Sequence, residues 1–233
     1  MQTQDEALLP TLQEQPQPPV ILPEPDRRVT LYGVSWETYE HLLTDLADRG
    51  APRLTFDQGV LEIMSPTAEH EEYNRTLAAL VEFVATELRI NIRRLGSTTF
   101  KREDLVKGFE PDTCFYIQSV PRIRGKRRIE LPQDPPPDLL IEIDITSSSL
   151  DRFPLFAQAG VPEVWRYDGS RVQFLRLTSE QYIEVPESLA FPMLTSEIVT
   201  RFLEESLELE SAEWALRLRD WVRQQVEKQS PSR

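Results

Sequence analysis

The sequence predicts an α/β protein: a mixed β-sheet flanked by helices, with a helical C-terminal extension. Three observations carry that expectation. Apolar residues recur at helical spacing after Ser35 and after Thr67, period-two runs such as Asp138 to Ile145 read as strands, and strand, helix and strand follow one another between residues 138 and 177. That last order requires a crossover connection within a sheet. A chain of 233 residues is long enough to bury a substantial core.

Residues 1–28 are expected to form a disordered leader. The first twenty-six contain Pro10, Pro16, Pro18, Pro19, Pro23 and Pro25, no Lys or Arg, and no hydrophobic periodicity. Ser35 is placed to cap a helix bearing Trp36, Tyr39, Leu42, Leu43 and Leu46 on one face, with Gly50 as its C′ residue. Arg53 to Phe56 and Val60 to Met64 flank the turn Asp57-Gln58-Gly59 and predict a hairpin. Thr67 caps a longer helix with a buried stripe of Tyr73, Leu77, Leu80, Val81, Val84 and Leu88. Strands are expected over Asn91 to Leu95, Thr98 to Lys101, Thr113 to Ile117 and Asp138 to Ile145, with Arg122 to Arg128 as a solvated loop. A helix from Ser148 to Ala159 ends at Gly160, and Val164 to Tyr167 and Val172 to Leu177 form further strands about Asp168-Gly169. Residues 196–228 are helical, acidic first and basic later, either as one helix or with a break. The division is therefore a leader over 1–28, a domain over 29–205 and a helical extension over 206–233.

Charge and composition exclude several functions. With 26 basic and 39 acidic residues the chain carries −13, which opposes diffuse binding to phosphate backbones or anionic lipid. No window approaches the ~18 apolar residues of a membrane span, and Met1 opens no secretion signal, so a cytoplasmic protein without membrane contact is expected. Cys114 alone cannot form an internal disulfide, and with only His41 and His70 a zinc site of the Cys/His kind is nearly excluded. Any metal would be held by oxygen.

The chemistry-bearing stretch is Asp138-Leu139-Leu140-Ile141-Glu142-Ile143-Asp144-Ile145. Alternation sends Leu139, Ile141, Ile143 and Ile145 one way and Leu140, Glu142 and Asp144 the other. On a sheet with one wet face the two acids would be merely solvated. The crossover helix after them argues that this face is covered. A second acid, Asp112, stands at the entrance of the strand after Glu110-Pro111, a position that ordinary turn chemistry also explains. If the two strands are neighbours, Asp112, Glu142 and Asp144 converge, and their repulsion calls for protonation or for a hard cation, Mg²⁺ or Mn²⁺. Cys114 and the alternating Trp165 and Tyr167 read as core. The basic run Arg122, Arg124, Lys126, Arg127 and Arg128 suits either phosphate contact or simple solubility.

Taken in order, Leu61-Glu62-Ile63-Met64-Ser65-Pro66, Glu69-His70-Glu71-Glu72, Glu110-Pro111-Asp112, Pro137 to Asp144 and Ala159 to Tyr167 resemble the bacterial Uma-type endonuclease family. That family belongs to the PD-(D/E)xK superfamily of restriction-endonuclease-like folds, and the resemblance spans roughly residues 30–205. It implies a restriction-endonuclease-like sheet and Mg²⁺- or Mn²⁺-dependent hydrolysis of DNA, with Asp112 and Glu142 as metal ligands and Asp144 as a third candidate. Glu69, His70 or Glu72 would supply an extra polar group near the metal, although His70 also fits an exposed position in a first helical turn. The superfamily lysine is replaced by Asp144. Arg152, or Lys101 from a neighbouring strand, stands in as the cation that steadies phosphate charge, Lys101 having a surface role as its alternative. A homodimer follows by analogy with the fold. The missing lysine leaves a second reading, a nuclease fold without turnover serving as a binding or assembly module.

Overall fold

The computed structural model describes residues 26–46, 52–145 and 150–229. Strand β1 (Arg27–Tyr32) precedes helix α1 (Trp36–Asp45), and the hairpin β2 (Arg53–Asp57) and β3 (Val60–Ser65) leads into helix α2 (Ala68–Glu87). Ser35 Oγ accepts from Thr38 N and Thr67 Oγ1 from His70 N, so both expected N-caps are in place. Gln58 and Gly59 turn the hairpin with φ of 46° and 97°. Gly50 lies outside the described residues.

Three short strands follow, β4 (Arg93–Arg94), β5 (Phe100–Arg102) and β6 (Lys107–Phe109), then β7 (Thr113–Tyr116) and β8 (Leu139–Ile143). Helix α3 (Phe153–Ala159) connects β8 to β9 (Glu163–Tyr167), which β10 (Val172–Thr178) and β11 (Gln181–Val185) extend. Helices α4 (Ser196–Glu208) and α5 (Ser211–Gln229) complete the chain.

The strands form two sheets. β1-β3-β2-β6-β5 is antiparallel throughout, whereas β11-β10-β9-β8-β7-β4 is mixed, its one parallel pair being β8 with β9. That pair is the expected crossover. The six-stranded sheet is covered on both faces. Leu139, Ile141 and Ile143 pack with α2, α4 and α5 on one side, while Leu140 and Cys114 meet Phe100, Phe109, Leu155 and Phe156 on the other. Tyr39 of α1 closes a third core over Leu54, Phe56 and Leu61. Gly108 allows the approach, since a Cβ there would lie 2.8 Å from the Tyr39 ring.

Several elements depart from the sequence reading. Residues 26–28 belong to the folded body, with Asp26 buried and β1 starting at Arg27. β1, β6 and β11 are additional strands, and one expected sheet is two. Helix α3 starts at Phe153 instead of Ser148, which lies outside the described residues. The Asp151 carboxylate accepts from Phe153 N, and Pro154 fits only a first helical turn, so Leu150 to Arg152 stay non-helical. The C-terminal segment breaks at Leu209, whose ψ of 151° is extended. The break folds α5 back so that Trp214, Leu218 and Val222 enter the same core as α2 and β8.

Candidate active site

The register of β7 against β8 places Thr113 opposite Ile141. Asp112 immediately precedes that ladder, and its carboxylate reaches β8 by accepting from Ile143 N, the residue after Glu142. Asp112 is 1% and Glu142 2% exposed, so the solvated reading of this face does not hold.

Asp112 is held on every side. Its Oδ2 accepts from Ile143 N at 2.7 Å, and its carbonyl accepts from Asn74 Nδ2 at 3.3 Å. Its Oδ1 faces His70 Nε2 at 3.1 Å and takes a hydrogen bond from Arg53 Nη1. His70 and Asn74 lie one turn apart on α2, and the Thr67 cap fixes where that helix starts. The other imidazole nitrogen, His70 Nδ1, lies 3.1 Å from Asp26 Oδ2, and Asp26 Oδ1 accepts from Thr67 N at 3.0 Å. The ring is thus suspended between two buried carboxylates. Burial alone would raise the Asp26 carboxyl, but the hydrogen bond and charge of His70, with Thr67 N and Arg28, bring it down to about 2.

Arg53 bridges this group to Glu71. Burial works against its charge, which the Glu71 and Glu142 carboxylates support. On the β8 side, Arg152 Nη1 lies 2.9 Å from Glu142 Oε2. Burial raises the Glu142 pKa, with Arg152, Arg53 and His70 opposing. Glu142 Oε1 is buried without a hydrogen-bond partner among the described residues. Glu110 anchors the loop before Asp112, accepting from Leu54 N at 2.9 Å and from Thr99 Oγ1.

The expected residues therefore divide. Asp112, Glu142, His70 and Arg152 come together. Asp144 does not join them, because Arg166 Nε and Nη2 hold its Oδ2 at 3.0 and 2.6 Å. Among the described residues no three His, Cys, Asp or Glu side chains are arranged to hold a metal ion, so the three-carboxylate cluster reduces to a pair. Lys101 is 44% exposed and pairs with Glu40, outside the site. Glu72 faces solvent and Glu69 accepts from Tyr73 Oη. Glu71 is the acidic residue of that turn that reaches the site. His70, 0% exposed, is no surface residue.

Arg53, Asp26, Asn74 and Glu71 are participants that the sequence reading did not single out. The alternation Arg53-Leu54-Thr55-Phe56 did set Arg53 apart from the apolar positions, but nothing in it marks that face as buried. Asp26 sits at the end of a proline-rich run, and only the tertiary position of α2 gives it a role.

The family described as Uma2, putative restriction endonuclease, matches residues 36–210, more than half of the chain. A crystal structure described as a putative nuclease belonging to DUF820 from Anabaena variabilis ATCC 29413 is 16% identical, with a TM-score of 0.48, covering 73% of this chain and 99% of that one. No curated protein matches the chain. Among the described residues no helix is long and apolar enough to cross a membrane.

Proposed function

The chain belongs to the Uma2 family of putative restriction endonucleases, and on that premise we propose that it hydrolyses DNA phosphodiester bonds with a divalent cation held by Asp112 and Glu142. One observation carries the reading: two buried acids, Asp112 just before β7 and Glu142 on the paired strand β8, share Arg53 and His70 as neighbours, and Glu142 Oε1 has no hydrogen-bond partner among the described residues.

The donor set fits Mg²⁺ or Mn²⁺. Mg²⁺ is commonly bound by one or two carboxylates, with water and substrate phosphate completing its shell, so a third acid is not required. Bound there, the cation would supply charge neutralisation at the phosphoryl group and a lowered pKa for water. The side chains do the rest. Ile143 N, Arg53 and His70 fix the Asp112 carboxylate in one orientation. Arg152, beside Glu142, offers a planar donor pair to a phosphate and stays charged throughout, so it steadies developing charge without taking a proton.

The test is incubation of the purified chain with Mg²⁺ or Mn²⁺ and supercoiled, linear and single-stranded DNA, beside Asp112→Asn and Glu142→Gln. Cleavage that requires the cation and disappears in both variants is expected. Cleavage that survives Asp112→Asn would place the activity elsewhere.

A second reading, a binding module without turnover, is favoured by one feature: Arg53 and Arg152 already balance the two acids, and no lysine stands at the superfamily position. Calorimetric titration with Mn²⁺ separates the readings. The hydrolytic one expects binding that Glu142→Gln weakens, and the binding module expects none.

A further inference from the structure

Four guanidinium groups of the loop after β7, Arg122, Arg124, Arg127 and Arg128, are exposed and make no hydrogen bond or ion pair among the described residues. Most other cations of the body are paired, as Arg94 is with Glu82, Lys107 with Asp57 and Arg171 with Glu184. The loop is also held in shape. Arg93 Nη1 and Nη2 donate to the carbonyls of Ile123 and Lys126 at 2.7 and 2.6 Å, and Lys126 is drawn to Asp134. Its free arginines are therefore presented from a fixed backbone.

Arg127 and Arg128 line a cleft of about 790 Å³, together with Arg93, Lys101 and Thr99. Two carboxylates line it as well. Glu40 is occupied by Lys101 at 2.8 Å, and Glu130 has no ion pair among the described residues. Neither acid lines the cleft; its wall residue Thr99 donates its hydroxyl to Glu110, two residues before the buried Asp112, which sets the side of the cleft nearer the acids. The loop leaves the far end of β7. From Asp112 to Tyr116 the strand advances roughly 13 Å, about four nucleotide steps at 3.4 Å each.

From these placements we infer that the Arg122 to Arg128 loop and its cleft bind the phosphate backbone of a nucleic acid strand and lead it toward Asp112 and Glu142. The inference rests on the hydrolytic reading for its destination. The cleft binds phosphates in series through guanidinium groups; of the nearby acids, Glu40 and Asp134 are engaged by Lys101 and Lys126, and Glu130 opposes it.

The experiment is fluorescence anisotropy of a labelled DNA duplex and a labelled single strand with the full chain in EDTA, as a function of salt. The variants are the fourfold Arg→Gln change at 122, 124, 127 and 128, the fourfold Arg→Lys change, and Glu130→Gln. Neutralising two to four phosphate contacts is expected to flatten the plot of log K against log salt by about 2 to 4 and to weaken binding at 0.1 M salt by about 10²–10³-fold. The lysine form should restore most of the slope, and Glu130→Gln should tighten binding. An unchanged slope in the Gln form, with thermal unfolding like that of the wild type, overturns the inference. If that form also cleaves DNA like the wild type while Asp112→Asn does not, the hydrolytic reading survives alone. A wild-type chain that binds no DNA overturns both.

Discussion

Replacing Arg152 by Gln tests how the buried acids are tolerated. Arg152 and Glu142 meet at 2.9 Å with side chains only 7% and 2% exposed. Removing one partner of a buried pair costs roughly 3–5 kcal/mol, because the other charge remains without water. Arg53 and His70 still act on Glu142, so the lower end, about 3 kcal/mol, is expected. That is a large part of the ~5–15 kcal/mol that holds a domain folded. The variant has one escape, protonation of Glu142, whose pKa burial already raises and whose foremost opposing charge is Arg152 itself. A carboxyl with a raised folded pKa binds more protons folded than unfolded, so stability falls as pH rises from the unfolded pKa through the folded one. The deficit of Arg152→Gln should therefore be small near the ordinary Glu pKa and grow with pH, by at most ~1.4 kcal/mol per unit. Urea unfolding followed by circular dichroism between pH 5 and 8 measures it. In the double variant with Glu142→Gln the pH dependence should vanish and most of the stability return. A deficit below about 1 kcal/mol at pH 8, or one that does not change with pH, would refute the compensation argument.

Asp26→Asn should destabilise by roughly 2 kcal/mol at pH 7, following its shift from 3.8 to about 2. A depressed folded pKa contributes stability above the unfolded value and loses it as pH falls, so the difference from the wild type should shrink from pH 4 toward pH 2 in the same urea assay. Trp214→Ala removes a 5%-exposed ring whose Nε1 donates to Phe202 O at 2.7 Å, with an expected loss of about 3–5 kcal/mol. If α5 were a loosely attached extension, the main urea transition of this variant would stay in place.

Local signals were legible where a side chain acts on its own segment. Ser35 and Thr67 cap the helices they precede, the alternation in Leu139 to Ile143 is the alternation of the two cores, and the pairing of β7 with β8 brings the segment that carries Asp112 beside the strand of Glu142. What the sequence hid depends on partners far along the chain. Asp144 shares the Glu142 side of its strand by periodicity, but periodicity carries no information about Arg166 on β9, which takes its carboxylate. Lys101 goes to Glu40 on α1 for the same reason. The division into two sheets was equally obscured, because β5 and β6 are three residues each, too short to show a period.

The net charge of −13 does not count against a nucleic acid substrate, because distance and solvent decide which charges a phosphate feels. At physiological salt the Debye length is about 8 Å, so exposed acids farther away than that are largely screened. Many of the acids are also spent locally. Glu87 is engaged by Arg223, Glu184 by Arg171, Asp104 by Arg102 and Glu213 by Arg217. Asp112, Glu71 and Glu142 are balanced by Arg53 and Arg152. A phosphate at the β7 loop would meet four exposed guanidinium groups that make no ion pair among the described residues. The acidic total acts instead at long range, where it slows association at low salt and weakens nonspecific adhesion. A chain built in this way can be acidic overall and still hold a polyanion, provided that the contact is made at that loop.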